Sequence, residues 1–324
     1  MESMRKFVIK VLIFSISLAA SVILLDNLYI HNNYRYDYLG GILNDKHKVA
    51  AQTPSPKLIW VGGSSISFGI NSDTLQRHLG IPVVNMALVA PLGTYFLMND
   101  ALKEVKRGDK VFITTEYDIS RFGNEEVIRS AIDFYPQGAN FVKKEKSFLK
   151  RVSTDIRHRF SNIRKLFWTS MGINKSAYAR IEDSTSVYFR GAFSAKGDIV
   201  SHVNNRPSRF VFTMFPKDTI DYSGQIEDIN HLIREAERRG AEVNFVFPPI
   251  AKSTYRHGKM AVESVESQIK TGLKCTVLGS AIDFVYEDSS FFDTFYHLKP
   301  SSRDDNTQKI LELYNHKPLV QQID

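Results

Sequence analysis

Residues 57–71 constrain the fold most, because an apolar run there stops at two glycines and leads directly into serines. The run 58–61 predicts a buried β-strand that ends at those glycines. Ser64 and Ser65 follow, and Ser72 offers a cap for a helix. Such a turn can expose a hydroxyl at the carboxyl edge of a sheet, where nucleophiles are common. A tight turn whose serines face solvent is the structural alternative.

Strands and helices alternate through the rest of the chain, which predicts an α/β domain with a doubly wound, mainly parallel sheet. Further strands are expected at 81–85, 110–115, 242–247, 275–278 and 282–286, with a short one at 210–212. Helices are expected at 94–105, 225–239, 261–273 and about 301–314. Segments that follow parallel strands share one edge, so residues 65, 85–93 and 293–297 would meet there.

Asp293 and His297 stand four residues apart just before the final helix. An imidazole titrates near neutrality and can take the proton of a hydroxyl that attacks a carbonyl, while a carboxylate fixes the imidazole tautomer. Asp288 is an alternative partner for this histidine. A histidine that caps a helix or pairs with a tyrosine is the structural alternative.

Gly63-Ser64-Ser65-Ile66 and the Asp293…His297 pair resemble the first and last sequence blocks of the SGNH (GDSL-type) hydrolase superfamily. With an N-terminal membrane segment, the chain resembles the membrane-anchored branch that includes alginate O-acetylation proteins and the D-alanyl transfer protein of teichoic acids. The resemblance covers about residues 55–315 and implies an SGNH hydrolase-like fold. It implies that Ser65 is the nucleophile, His297 the base and Asp293 the orienting acid.

Two middle blocks depart from that family pattern. The second block usually supplies a glycine amide to the oxyanion hole, and this chain has Ala90 and Gly93 there, either of which offers a backbone N–H. The third block usually has an asparagine, and this chain has Glu116. A carboxylate facing an oxyanion is repulsive unless it is protonated or turned away. Glu116 therefore either opposes plain esterase activity, orients another group, or pairs with a basic neighbour.

The amino end has the pattern of a membrane anchor. Apolar residues at 7–25, interrupted only by Lys10, follow two basic residues and span about 28 Å as a helix. The basic residues predict a cytoplasmic amino end and an extracytoplasmic domain. A cleaved signal peptide is the alternative, since Ser17 and Ala19 are small residues at the right spacing, but the apolar run continues past them. We expect an anchor at 1–26, a tyrosine-rich stalk or linker at 27–56 and the domain at 57–324.

A basic helical insertion is expected at about 143–222. In its first part, 143–167, apolar residues recur at spacings of three and four, which predicts an amphipathic helix. Nine lysines and arginines there oppose two acidic residues, a net charge of +7 that equals the formal charge of the whole chain. This predicts either a solvated basic face or attraction to an anionic membrane surface or acidic glycan. No nucleic-acid reader motif is present, so nucleic acid is not expected as a partner.

The single cysteine, Cys275, excludes an internal disulfide framework, and the nine histidines have no metal-ligand spacing. We therefore expect neither a metal nor a cofactor. A chain of 324 residues is long enough for one large α/β domain with an insertion.

The resemblance implies an extracytoplasmic O-acyltransferase (O-acetyltransferase) or esterase that acts on an envelope or exported polysaccharide and works with a multispanning membrane acyltransferase. A catalytically inactive, glycan-binding scaffold of a biosynthetic complex is the alternative, and the changed middle blocks favour it. An esterase directed at lipids, docked through 143–167, is a third hypothesis.

Overall fold

The computed structural model describes residues 2–33, 37–143, 147–172, 187, 189–204, 215 and 218–316. Within these ranges the helices are α1 (Glu2–Asn33), α2 (Gly40–Gln52), α3 (Ser64–Gly69), α4 (Ser72–Leu79), α5 (Gly93–Ala101), α6 (Glu125–Phe134), α7 (Phe148–Ser170), α8 (Ser223–Arg238), α9 (Lys252–His257), α10 (Lys259–Gly272) and α11 (Pro300–Asn315). The strands are β1 (Leu58–Gly62), β2 (Val83–Asn85), β3 (Lys110–Thr114), β4 (Glu242–Val246), β5 (Ile250–Ala251), β6 (Thr276–Leu278) and β7 (Val285–Tyr286).

A five-stranded sheet in the order β2-β1-β3-β4-β6 forms the centre of the domain, and all its neighbouring strands are parallel. β1 lies between β2 and β3, with Trp60 opposite both Asn85 and Phe112. Every residue of β1 is buried, as expected for a parallel strand covered on both faces. The expected α/β fold with a mainly parallel sheet is confirmed, and β1 delivers the following segment to the carboxyl edge.

The strand expected at 282–286 is mostly a 3₁₀ turn. Ser280 and Asp283 form a capping box, in which each side chain accepts a hydrogen bond from the other's backbone N–H, and the turn spans Ala281–Phe284. Only β7 is extended, and it pairs with β5 in a separate two-stranded sheet. The short strand expected at 210–212 lies outside the described residues.

The segment 27–56 is not the stalk or linker that its polar composition predicts. α1 continues to Asn33, and α2 buries Ile42, Leu43 and Ala50 in the core of the domain. Lys46 lies on the same buried face, where its Nζ donates to the carbonyl oxygens of Asn85 and Gly197 at 2.7 and 2.6 Å. A lysine at a core position interrupts the apolar periodicity, which explains why the sequence pattern hides this helix.

α1 is long and apolar enough to cross a membrane, and none of its most apolar stretch is buried. α7 confirms the helix expected within 143–167, although residues 144–146 lie outside the described chain. α7 does not pack its apolar face onto the domain. It instead contacts α1 and α6 through a polar face centred on Asn162.

Candidate functional site

Ser65 lies in the first turn of α3, immediately beyond the end of β1, and is fully buried. Two residues later, the Ser67 hydroxyl donates to the carbonyl oxygens of Ala87 and Leu88 at 2.7 and 3.1 Å. These bonds attach α3 to the loop that follows β2. The glycine-serine turn thus holds the Ser65 side chain at the carboxyl edge of the sheet, where the sequence predicts it.

Asp293 and His297 form a hydrogen-bonded pair in the turn before α11. Nδ1 of His297 lies 2.7 Å from Oδ1 of Asp293. The Phe292 N–H donates to the His297 carbonyl at 2.7 Å, and this bond closes the turn. A spacing of four residues is therefore compatible with a carboxylate–imidazole contact. Asp293 therefore contacts Nδ1 of the imidazole and not Nε2.

Phe68 links the imidazole to the serine helix. Its ring stacks on that of His297, with centroids 4.1 Å apart and planes inclined by 8°. Phe68 follows Ser65 by three residues in α3, so the stack brings the histidine beside the turn that carries the hydroxyl. The Ser65 hydroxyl forms no well-aligned hydrogen bond within the described residues, although it lies near enough to Glu116 to lower the pKa of that carboxyl group against the larger effect of burial. Catalytic hydrogen bonds often tighten only when substrate binds.

Tyr296 attaches the same turn to the end of β3. Its hydroxyl donates to Asp118 at 3.0 Å and accepts from the Tyr117 N–H at 3.2 Å. Burial raises the pKa of Asp118, and the hydrogen bond from Tyr296 opposes that rise. Ser65, Asp293 and His297 therefore lie on elements that meet at one edge of the sheet.

Glu116 lies against the serine turn. Its Oε1 accepts the Ser65 backbone N–H at 2.8 Å, and its Oε2 is buried without a hydrogen-bond partner in the described chain. Burial raises the pKa of this carboxyl group. A side chain at residue 63 would meet both oxygens at 2.2–2.3 Å, so Gly63 is required for this approach.

The basic neighbour considered for Glu116 is not found: no ion pair involves this carboxylate in the part of the chain that the structure describes. Glu116 instead binds the amide of the residue that the sequence assigns as nucleophile. A nucleophile's own backbone N–H is a frequent oxyanion donor in acyl transfer. The carboxyl group thus occupies the position where that N–H would meet an oxyanion.

The two amides considered from the second block differ in their availability. The Gly93 N–H donates to the Ala90 carbonyl and closes a 3₁₀ turn, and Gly93 has φ 80°. A side chain there would clash with Gly123 N at 2.3 Å, which explains the glycine. Gly93 therefore uses its N–H in the turn, whereas the structure records no acceptor for the Ala90 N–H among the described residues. Ala90 remains the better candidate of the two.

The alternative residues lie elsewhere. Asp288 accepts the Ser253 N–H at 2.9 Å at the start of α9, so its carboxylate caps a helix. His257 is exposed, and its Nδ1 contacts the Ser253 carbonyl at 2.7 Å. The described residues contain no cluster of three or more potential metal ligands.

His202 is a neighbour of the pair that sequence reasoning missed. It is buried, and its ring packs edge-on against Phe68 and Phe292, with centroids 5.0 and 5.5 Å away. Burial lowers the pKa of His202 to about 4, and the positive charge of Arg303 adds to this effect. The residue is therefore neutral near pH 7 and contributes a wall of the site. Its segment has no hydrophobic periodicity, so nothing in the sequence singled it out.

The arrangement combines a buried hydroxyl, an imidazole held by a carboxylate, and a buried carboxyl group on the amide of the hydroxyl's own residue. These groups can move a proton from an attacking hydroxyl to an imidazole, as acyl transfer requires. Compared with protein-family models and with curated proteins, the chain gives no match in either comparison.

Proposed function

We propose that this protein is a membrane-anchored, serine-dependent O-acyltransferase or esterase that acts on O-acyl groups of an envelope or exported polysaccharide. The observation that carries the proposal is the partly buried Asp293–His297 hydrogen bond, whose imidazole stacks on Phe68 of the helix that bears Ser65. The order and spacing of these residues on a mainly parallel sheet support an SGNH hydrolase-like fold. The choice of a polysaccharide as the substrate rests on the family resemblance.

In this proposal Ser65 Oγ attacks the acyl carbonyl while Nε2 of His297 takes its proton. Asp293 holds Nδ1 and stabilises the imidazolium that forms. His297 then returns the proton to the leaving oxygen, and an acyl–Ser65 intermediate remains. A sugar hydroxyl or water, deprotonated by the same imidazole, then attacks the acyl carbon, and the imidazolium returns the proton to Ser65 Oγ as the bond between Oγ and the acyl carbon breaks. The Ser65 side chain must turn toward His297 for the first step, because no bond joins them here.

The proposed location is the outer side of a membrane that α1 crosses, with the amino end in the cytoplasm. The length and apolar character of α1 support the crossing. The basic residues before its apolar stretch support the orientation. A multispanning acyltransferase is the proposed donor of acyl groups, by resemblance to the membrane-anchored branch.

A catalytically inactive, glycan-binding scaffold is the second candidate. One observation favours it: Glu116 already holds the Ser65 N–H, which acyl chemistry would use for an oxyanion. A scaffold would also tolerate a serine hydroxyl that is not bonded to the histidine.

The test uses the full chain in lipid nanodiscs with a chromogenic acetyl ester. Intact-protein mass spectrometry should detect an acetyl adduct on Ser65, and both Ser65→Ala and His297→Ala should abolish it and lower turnover by at least about a hundredfold. Ser64→Ala is the matched control, because this neighbouring serine is partly exposed and should leave the adduct intact.

Absence of an adduct and of turnover in the wild-type chain, also when its membrane fraction is added back, would support the scaffold. An adduct that persists in Ser65→Ala and is located on Ser64 would show that Ser64 is the nucleophile.

A further inference from the structure

A polar junction fixes α7 to the end of α1. Asp26, the first carboxylate after the apolar stretch of α1, is buried and pairs with Arg159 of α7. Asn162 donates to Asp26 at 3.0 Å and to Asp133 of α6 at 2.9 Å. His158 contacts the same Asp133 at 2.8 Å. The middle of α7 therefore lies at the point where α1 changes from apolar to polar sequence.

The opposite side of α7 carries an uncovered apolar stripe. At about 100° per residue, its members lie roughly 120–180° around the helix from Asn162. The stripe consists of Leu149, Ile156, Phe160, Phe167 and Met171, whose exposed fractions are 78, 50, 53, 57 and 54%. A continuous apolar row of this length on a surface usually marks a contact with a partner or a membrane.

Basic side chains flank the stripe on one side. Arg157 and Arg164 line a cleft of about 820 Å³ together with Arg129 of α6, and Phe160 of the stripe reaches the same cleft. Arg129 is held by Glu125 and Asp155. Neither Arg157 nor Arg164 has an ion-pair partner among the described residues. Glu125 and Glu126 also line the cleft, but Glu125 pairs with Arg129 and neither carboxylate forms an ion pair with Arg157 or Arg164 in the described chain. Apolar groups and unpaired arginines therefore adjoin, as in helices that lie in a membrane interface.

We propose that α7 lies in the headgroup layer of the bilayer that α1 enters, with its stripe against acyl chains and with Arg157 and Arg164 on anionic lipid phosphates. The uncovered apolar surface of α1 ends at the junction that holds α7, so one bilayer covers both surfaces. An acidic glycan would pair with the arginines but would leave five aliphatic and aromatic side chains in water. The proposal depends on membrane insertion of α1 and not on catalysis.

The experiment places a nitroxide label on the full chain in nanodiscs, in a Cys275→Ala background. Single cysteines replace Ile156 or Phe167 in the stripe. Ser267→Cys, at an exposed position of α10, is the control. Labels in the stripe should show a several-fold higher ratio of oxygen to nickel-chelate accessibility than the control label, because oxygen concentrates in lipid and the chelate in water. Equal ratios at all three positions would overturn the proposal.

A second experiment tests whether Arg157 and Arg164 bind anionic lipid. Adding phosphatidylglycerol to the nanodiscs should lower chelate access at Ile156→Cys several-fold, and Arg157→Gln with Arg164→Gln should remove that response. Arg77→Gln, an exposed arginine on α4, is the matched control. If soluble polyuronate changes the label's environment and phosphatidylglycerol does not, the glycan is the partner and the lipid proposal fails. These readouts need no enzymatic activity, so they stand apart from the test of Ser65.

Discussion

At the scale of single residues, Glu116 decides how the serine turn can work. Its carboxyl oxygen is 2.8 Å from the Ser65 amide nitrogen, inside a turn that only a glycine at residue 63 leaves open. In its ionised form it would oppose the negative charge that develops on an acyl oxygen. In its neutral form it could remain in place and donate a hydrogen bond. Burial raises the pKa of Glu116, which extends the pH range in which the neutral form persists.

We predict that Glu116→Gln accelerates acylation of Ser65 at alkaline pH by about tenfold. The glutamine side chain keeps a carbonyl acceptor for the Ser65 N–H but carries no negative charge. At acidic pH, where Glu116 is neutral, the two proteins should react at similar rates. The measurement is the rate of Ser65 labelling by a fluorophosphonate across pH.

Glu116→Ala is the comparison, since it leaves the Ser65 N–H without its acceptor and should not reproduce the gain. A Glu116→Gln protein that is slower than wild type at every pH would show that the carboxylate itself supports the reaction.

At the scale of elements, α2 is held to the domain by a titrating side chain as well as by its apolar face. His47 Nδ1 contacts Glu104 at 2.7 Å, and Nε2 contacts Asp100 at 2.9 Å. Burial lowers the pKa of His47, but hydrogen bonds to the two carboxylates outweigh it and raise the pKa to about 9. The protonated imidazole therefore joins α2 to the segment 100–104.

We predict that this junction weakens as the pH rises. The folded-state pKa is above the ordinary value of 6.5, so the stabilisation is complete below about pH 6.5 and is lost as the pH passes through about 9. The loss should be on the order of 2 kcal/mol. Urea unfolding in mild detergent, followed by the fluorescence of buried Trp60, measures it.

His47→Gln should be less stable at pH 6 and should lack most of this pH dependence. His78→Gln is the control, because that histidine is an exposed residue of α4 whose ring contacts a backbone carbonyl. A wild-type protein whose stability does not change between pH 6.5 and 9 would contradict the assignment.

The elements that the sequence predicts well are those whose pattern is local. β1 is apolar along its whole length, and β3 and β4 are mainly apolar beyond their first residues, because both faces of a parallel strand are buried. The sequence pattern did not predict α2, because buried Lys46 interrupts the apolar spacing of that helix. The residues of the candidate site show the same difference between local sequence patterns and contacts across the chain. Ser65, the Asp293–His297 pair and Glu116 follow local motifs. The bond from the Ser65 N–H to Glu116 and the packing of His202 on Phe68 are contacts across the chain that no local pattern records.

At the scale of the whole molecule, the junction of α1, α6 and α7 couples the apolar N-terminal helix to the domain. Asp26 is buried, while the side chain of its partner Arg159 is 44% exposed, so water can replace part of that contact. We predict that Asp26→Leu loosens α7 and costs on the order of 1 kcal/mol, because it removes the acceptor of Arg159 and one of the two acceptors of Asn162. Hydrogen exchange of the full chain in nanodiscs should show faster exchange in α7 and no change in β1 or β3.

Asp73→Asn is the control for that experiment, since Asp73 forms an exposed ion pair with Lys196 far from the junction in sequence. Unchanged exchange in α7 of the Asp26→Leu protein would show that the apolar contacts between α1 and α7 hold the two helices together without the polar junction.

α1, which is long and apolar enough to cross a membrane, and α2, which packs into the core, follow each other closely. α1 ends at Asn33 and α2 begins at Gly40, so the six residues between them cover at most about 20 Å even when fully extended. In the proposed function, a domain mounted this way stays within a short distance of the membrane. The polymer that it acts on would therefore have to reach the membrane surface before acyl transfer occurs.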